Sequence, residues 1–212
     1  MINKILYLKI YPDDYEELTS IMVAAFNEDT SIHTDLKEDG PGGYDNGSLI
    51  KRLNELQNLE SYKVVYNNSI IGMYTVGIKT NSEYSLEMLF INPQYRKDHL
   101  GTIVWSDIEE KYIGVKKWTV ETPDYSKRNH HFYTEKCGFV FHRENICPNG
   151  AKSFIFEKQK LYKLVWLIPQ RFVYRQLMYV ILFKSIFRAI KGEGQGWGVL
   201  RRTGNAVLAS KK

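Results

Sequence analysis

Residues 86–102 read LEMLFINPQYRKDHLGT, and no other stretch limits the fold so tightly. An apolar run, 86–91, carries one acid, Glu87. Asn92-Pro93 ends it, because proline has no N–H to give a sheet ladder. Arg96-Lys97-Asp98-His99-Leu100-Gly101 follows, and apolar residues recur at helical spacing from Leu100 onward. This is strand, basic turn, helix. A helix that begins beside clustered cations is an anion site, since its first N–H groups lack partners and its dipole end is positive.

The rest of the chain reads as elements that can support such a unit. Residues 5–10 alternate as an edge strand, and Pro12-Asp13-Asp14 opens a helix with Leu18, Ile21, Met22, Ala25 and Phe26 inward. Residues 27–47 are polar, acidic and glycine-rich, which predicts a loop. Leu49, Leu53, Leu56 and Leu59 predict a second amphipathic helix. Strands are expected over 62–66 and 70–78, joined by Asn67-Asn68-Ser69, with the central strand over 84–91. A helix after Gly101, a strand over 117–121, a helix over 126–137 closed by Gly138, and a hairpin of 139–142 with 153–156 complete the order. The result is a mixed α/β sheet with helices on both faces.

Charge divides the chain. From Lys160 to the end there are eleven basic residues and one acid, Glu193, so this part carries +10; the overall +5 then leaves −5 on the part before it. An acidic domain over 1–159 thus precedes a basic, apolar extension over 160–212, and the asymmetry implies an anionic partner. Cys137 and Cys147 are the only cysteines. Both are expected as reduced thiols in a cytoplasmic protein, with Cys137 packed rather than reactive. The start, MINKILYLKIYPDD, has too short an apolar stretch for a signal peptide.

YRKDHLG resembles the Arg/Gln-x-x-Gly-x-Gly/Ala turn of the GNAT N-acetyltransferases, with Arg96 first and Gly101 last. His99 stands where that family prefers glycine. A second match is SKRNHHFYTEKCGF, residues 126–139, which resembles Asn-x-x-Ala-x-x-Phe-Tyr-Glu-Lys-x-Gly-Phe. Ser126 replaces the Asn, and Asn129 the Ala. The resemblance covers about residues 3–158. It implies a GNAT-like, mostly antiparallel sheet and acetyl-CoA as co-substrate. It places the carrier on Phe90, Ile91, Arg96, Lys97, Asp98, His99, Leu100, Gly101 and Thr102, with Ser126 and Asn129 nearby. It also implies direct transfer to a primary amine of a small molecule or peptide.

Acetyl transfer needs a base for the amine and a proton donor for the thiolate. Glu87, in its apolar strand, is the candidate base; the bland reading is an outward carboxylate paired with a lysine. Tyr133 falls where the family's general-acid tyrosine sits; the bland reading is a core tyrosine. Ser126 and Asn129 fit helix caps equally well. His130-His131 point in different directions on a helix, and no second cluster lies near, so no metal is expected. The acids of 27–47, Glu28, Asp29, Asp35, Glu38, Asp39 and Asp45, would draw a cationic amine or simply be solvated. The alternative to an enzyme is a degenerate GNAT fold, marked by His99 and Ser126, that binds or scaffolds through its tail.

The extension has no charge-free window of about twenty residues, so a plain transmembrane span is not expected. Projected as one helix, Arg171 and Arg175 fall opposite Lys184, Arg188 and Lys191, and Pro169 divides it. Residues 174–205 are similar to the C-terminal segment of processive family 2 membrane glycosyltransferases, without those enzymes' catalytic motifs. Two readings stay open. In one, the tail sits on an anionic membrane surface, at the inner face of the membrane; in the other, it packs on its own domain or a second subunit, as in a homodimer. Nucleic acid is not expected, because the cations are interleaved with aliphatics.

Overall fold

The computed structural model describes residues 5–146, 150–160, 176 and 178–192, without the side chains of 96–98. The chain falls into two compact units, Met1–Lys160 and Leu161–Lys212. The first unit holds β1 (Ile5–Lys9), α1 (Tyr15–His33), α2 (Ser48–Glu55), β2 (Leu59–Tyr66), β3 (Ser69–Ile78) and β4 (Glu83–Ile91). It continues with α3 (Leu100–Lys111), β5 (Lys117–Pro123), α4 (Lys127–His131), β6 (Val140–Ile146) and β7 (Lys152–Gln159). The seven strands form one sheet in the order β1-β2-β3-β4-β5-β7-β6. Every neighbouring pair is antiparallel except β4 with β5. This is the expected mixed, mostly antiparallel α/β sheet.

Each face of the sheet has its own core. On one face α1 and α2 bury Leu18, Ile21, Met22, Ile50 and Leu53 against Met73 and Phe90. On the other, α3 buries Val104, Trp105 and Ile108 against Tyr74, Val76, Leu86, Trp118 and Phe156, joined by Tyr133 and Phe139. Each such side chain contributes about 1.5–3 kcal/mol on leaving water. Cys137 is buried in this second core, and burial pushes its thiol up to about 12, so it packs as expected rather than reacts.

β3 and β4 approach closely at Gly72. A Cβ built there would lie 2.0 Å from the Phe90 carbonyl oxygen. Glycine at 72 therefore fixes how near β4 comes to β3, and with it the line of the central strand. Further along, Thr75 faces Met88 and Val76 faces Leu86, which leaves Glu87 as the extra residue of a bulge.

Several predicted boundaries change. α1 runs on to His33, through residues expected to be loop, because contacts from α4 support its last turns (below). Leu56 ends α2 and Leu59 already belongs to β2, so the leucine repeat spans a helix and a strand. The helix expected over 126–137 is α4 followed by a π turn, Phe132–Lys136, closed by a 3.1 Å bond from the Cys137 N–H to the Phe132 carbonyl. Gly138 follows with φ +74, the left-handed conformation expected of a residue that ends a helix. Pro169 and most of residues 174–205 lie outside the described residues; of the extension, a helix over 178–190 is described.

Tyrosines line one side of this sheet. Tyr7 donates to Asp107 and Tyr112 donates to Glu60, each at 2.5 Å, and Tyr74 is buried between Tyr7 and Tyr62. Burial, reinforced by the nearby carboxylates, raises all three phenols well above the ordinary 10.0. The unfolded chain then loses these protons first, so stability is complete below about pH 10 and falls above it. Thermal melts followed together with phenolate absorbance should show this fall. A melting temperature that stays level across about pH 10 would contradict it.

Candidate active site

The site begins where the sheet divides. β4 and β5 pair only from Glu83↔Lys117 to Leu86↔Val120. Beyond that, β4 continues on β3 and β5 continues on β7, so the sheet forks. Glu87 and Glu121 are the first residues past the last pair, one on each arm.

Beside the β4 arm lies a cavity of about 340 Å³, walled by β4 and by helices rather than by β5. β4 contributes Leu89, Phe90 and Ile91; the start of α3 contributes His99, Gly101 and Thr102. α4 and the π turn add Arg128, Asn129, His131, Phe132, Tyr133 and Lys136, and α1 adds Ala25, Phe26 and Asp29. Phe90, Ile91, His99, Gly101, Thr102, Asn129 and Tyr133, singled out from the sequence, therefore share one cavity. The backbone of the turn Pro93–Asp98 is a 3-10 helix leading into α3, whereas the side chains of Arg96, Lys97 and Asp98 lie outside the description. Leu100 sends its side chain into the core.

Two further sequence-predicted residues lie elsewhere. Glu87 is exposed, accepts a hydrogen bond from the Ser85 hydroxyl, and lines a second cavity of about 290 Å³ with Thr119, Glu121 and Glu157. Its carboxylate stands at an exposed bulge rather than in the apolar strand setting read from the sequence. Ser126 is fully buried and donates to Asp29 at 2.5 Å, as a structural tie.

Asp29, read from the sequence as one acid of a polar loop, has a role that reading missed. It is buried on α1, and its carboxylate accepts from Ser126 at 2.5 Å and from the Arg128 guanidinium at 2.9 Å, with the Asn129 amide at 3.5 Å. Arg128 reaches Glu28 as well, at 3.0 Å. His33 completes the clamp. Its Nδ1–H donates to the Asp29 carbonyl at 2.8 Å, and its Nε2 accepts from the Arg128 N–H at 3.3 Å. The last turns of α1 are thus pinned to the start of α4, so the helix continues where acids near its C-terminus oppose its dipole.

Tyr133 is buried, and its phenol is held well above the ordinary tyrosine range, first by burial and then by Cys137 and Asp29. It stays protonated at neutral pH and remains a hydrogen-bond donor. His130 is used structurally: it stacks on Phe154, with 5.0 Å between ring centres, and its Nε2 lies 2.9 Å from the Pro123 carbonyl. Among the described residues no group of three or more His, Cys, Asp or Glu could hold a metal.

A model described as "Acetyltransferase (GNAT) family" matches residues 20–139. The chain belongs to the GNAT acetyltransferase family. Its likeness to the GNAT member from Elizabethkingia anophelis solved with acetyl-CoA bound has a TM-score of 0.50 at 16% identity, over 76% of this chain and 100% of that one. An acetyltransferase from Thermus thermophilus gives a TM-score of 0.61 at 12% identity, over 74% and 97%. YrkN of Bacillus subtilis (strain 168), described as uncharacterized, is 30% identical over 103 residues, 48% of this chain. The chain spans about half the length of that curated relative, 55%.

His99 sets this GNAT turn apart. At φ +55 it sits in the left-handed region, where a side chain is strained and glycine is not. It is exposed and lines the cavity. His99→Gly should therefore raise stability by less than about 1 kcal/mol, the relief of strain minus the greater freedom of glycine in the unfolded chain, and leave acetyl-CoA binding no weaker. Calorimetry and a thermal melt on the variant check both, and weaker binding would show that the imidazole contributes a contact.

Proposed function

We propose that this GNAT chain transfers the acetyl group of acetyl-CoA to a primary amine by direct attack. The cavity beside the β4 arm carries this reading: past the last β4–β5 pair it is bounded by the start of α3 and by Tyr133. The start of α3 supports a diphosphate there, since His99 gives no side-chain cap and the helix dipole favours an anion. Acetyl-CoA in the Elizabethkingia anophelis relative supports the choice of carrier.

In the reaction the amine nitrogen bonds to the thioester carbonyl carbon and the carbon–sulfur bond breaks. Glu87 takes the proton from the incoming ammonium on the side of the second cavity, where Glu121 adds negative charge. Tyr133 donates to the sulfur. A thiolate of ordinary basicity, near about 8.5, is too weak a base to take the proton outright from a phenol held this high. Tyr133 therefore stabilises the leaving group by hydrogen bonding, and the amine's proton completes the thiol. The acceptor is a primary amine of a small molecule or a peptide.

Calorimetric titration with acetyl-CoA, followed by an acetylation assay across an amine panel, tests this. Binding with turnover of at least one amine is expected. A competing reading, a GNAT fold kept for binding or scaffolding alone, draws on His99 in the glycine position. Absence of heat at millimolar acetyl-CoA would favour it.

A further inference from the structure

Every residue of the helix over 178–190 except Ser185 is exposed. Phe183 is 67%, Phe187 66% and Ile190 78% exposed. At about 100° per residue, Lys184, Arg188 and, one residue past the helix, Lys191 fall within a sector of about 60°. The remaining arc, about 260°, runs from Ile181 through Leu182, Ile186 and Phe183 to Val180, and is broken chiefly by Ser185 and the Tyr179 hydroxyl. Within this helix, then, the cations share one stripe. Arg171 and Arg175, which the longer projection set opposite them, lie outside the described residues.

The width of the apolar arc decides what covers it. A groove on a protein, or the seam with a second copy, takes a stripe of roughly 100°. An arc more than twice as wide suits a fluid medium into which the helix sinks until only its cationic stripe stays at the surface. The charge decides which medium: the helix has no acid, and residues 160–212 carry eleven cations against one acid. Aliphatic and aromatic side chains at this density do not suit a nucleic acid. The described part of the helix, 178–190, is about 20 Å long. No helix among the described residues is long and apolar enough to cross a membrane.

We propose that residues 178–190 hold this chain on an anionic lipid surface, lying in the plane of the interface with Lys184, Arg188 and Lys191 at the headgroups. Phe183, Phe187 and Ile190 enter the acyl boundary while the lysine and arginine stems reach back to the phosphates. This site is independent of acetyl transfer and needs no acetyl-CoA.

Flotation of the full chain with phosphatidylcholine vesicles, with and without phosphatidylglycerol, at low and high salt, tests it. Binding is expected on the phosphatidylglycerol vesicles and should weaken with salt. Reversing Lys184, Arg188 and Lys191 to glutamate should lower it about 100-fold, near five-fold for each cation lost. Phe183→Asp with Phe187→Asp should lower it by a further route, about ten-fold or more, at unchanged melting temperature because both rings are exposed. Equal binding to both vesicle types, no flotation at all, or no effect of the aspartate pair would overturn the proposal. So would a dimer in solution that the aspartate pair dissociates, which would make a second copy the occupant.

Discussion

Asp29→Ala should lower the melting temperature by about 6–12 °C and weaken acetyl-CoA binding with it. Asp29 accepts from Ser126 at 2.5 Å and from Arg128 at 2.9 Å. The Arg128 part is discounted, because that side chain is 34% exposed and keeps Glu28 as a partner. The Ser126 part is not: its fully buried hydroxyl would lose its acceptor, at about 1–3 kcal/mol. With the lost charge-assisted bond the sum is about 3 kcal/mol, or about 2–4 °C for each kcal/mol in a chain of this size. Binding follows because Arg128 and Asn129 line the cavity and would lose their anchor. Asp29→Asn keeps an acceptor for Ser126 and should recover about half of the loss. A fall of less than about 2 °C in the alanine variant would show that α1 and α4 hold their places without the clamp.

Tyr133→Phe should reduce kcat about 100-fold, while acetyl-CoA affinity and melting temperature stay near those of the parent chain. The change removes one oxygen and leaves the ring, which packs on Phe132 and Phe139, in place. Ground-state binding is therefore spared. The loss falls on the step in which sulfur gains charge, since a donor in a dry site stabilises charge far better than water does there. Because the phenol sits well above neutrality, the rate of the parent chain should show no ionisation of Tyr133 below about pH 9. Unchanged kcat in the variant would remove Tyr133 from the reaction and leave it a core residue.

The order of elements was legible because its signals are local. Pro93 ends a strand, Gly138 ends a helical segment, and Asn67 and Asn68 adopt positive φ at a tight turn as their neighbours suggest. That Phe90, Ile91, His99, Gly101 and Thr102 share a cavity was legible for the same reason, since they lie close together in the chain. What failed was long-range. Nothing near Asp29 shows that Ser126 and Arg128, about a hundred residues away, will neutralise it and carry α1 on to His33. The bulge that puts Glu87 in the open depends on how β4 registers against β3, and the closeness of those strands depends on Gly72 meeting the Phe90 carbonyl. Glu121 reaches the fork only because β5 pairs with β7 rather than with β4 past Val120.

The clamp at Asp29 has a mechanical meaning once set beside the short ladder from Glu83 to Leu86. α1 packs on the half of the sheet that includes β4, and α4 on the half that includes β5, so the wedge is hinged at its narrow end by four residue pairs and tied at its mouth by a polar rivet. Its width is thereby set by two fasteners at opposite ends. Loosening either one should let the arms breathe, so that grip on the carrier and resistance to heat fall together rather than one at a time.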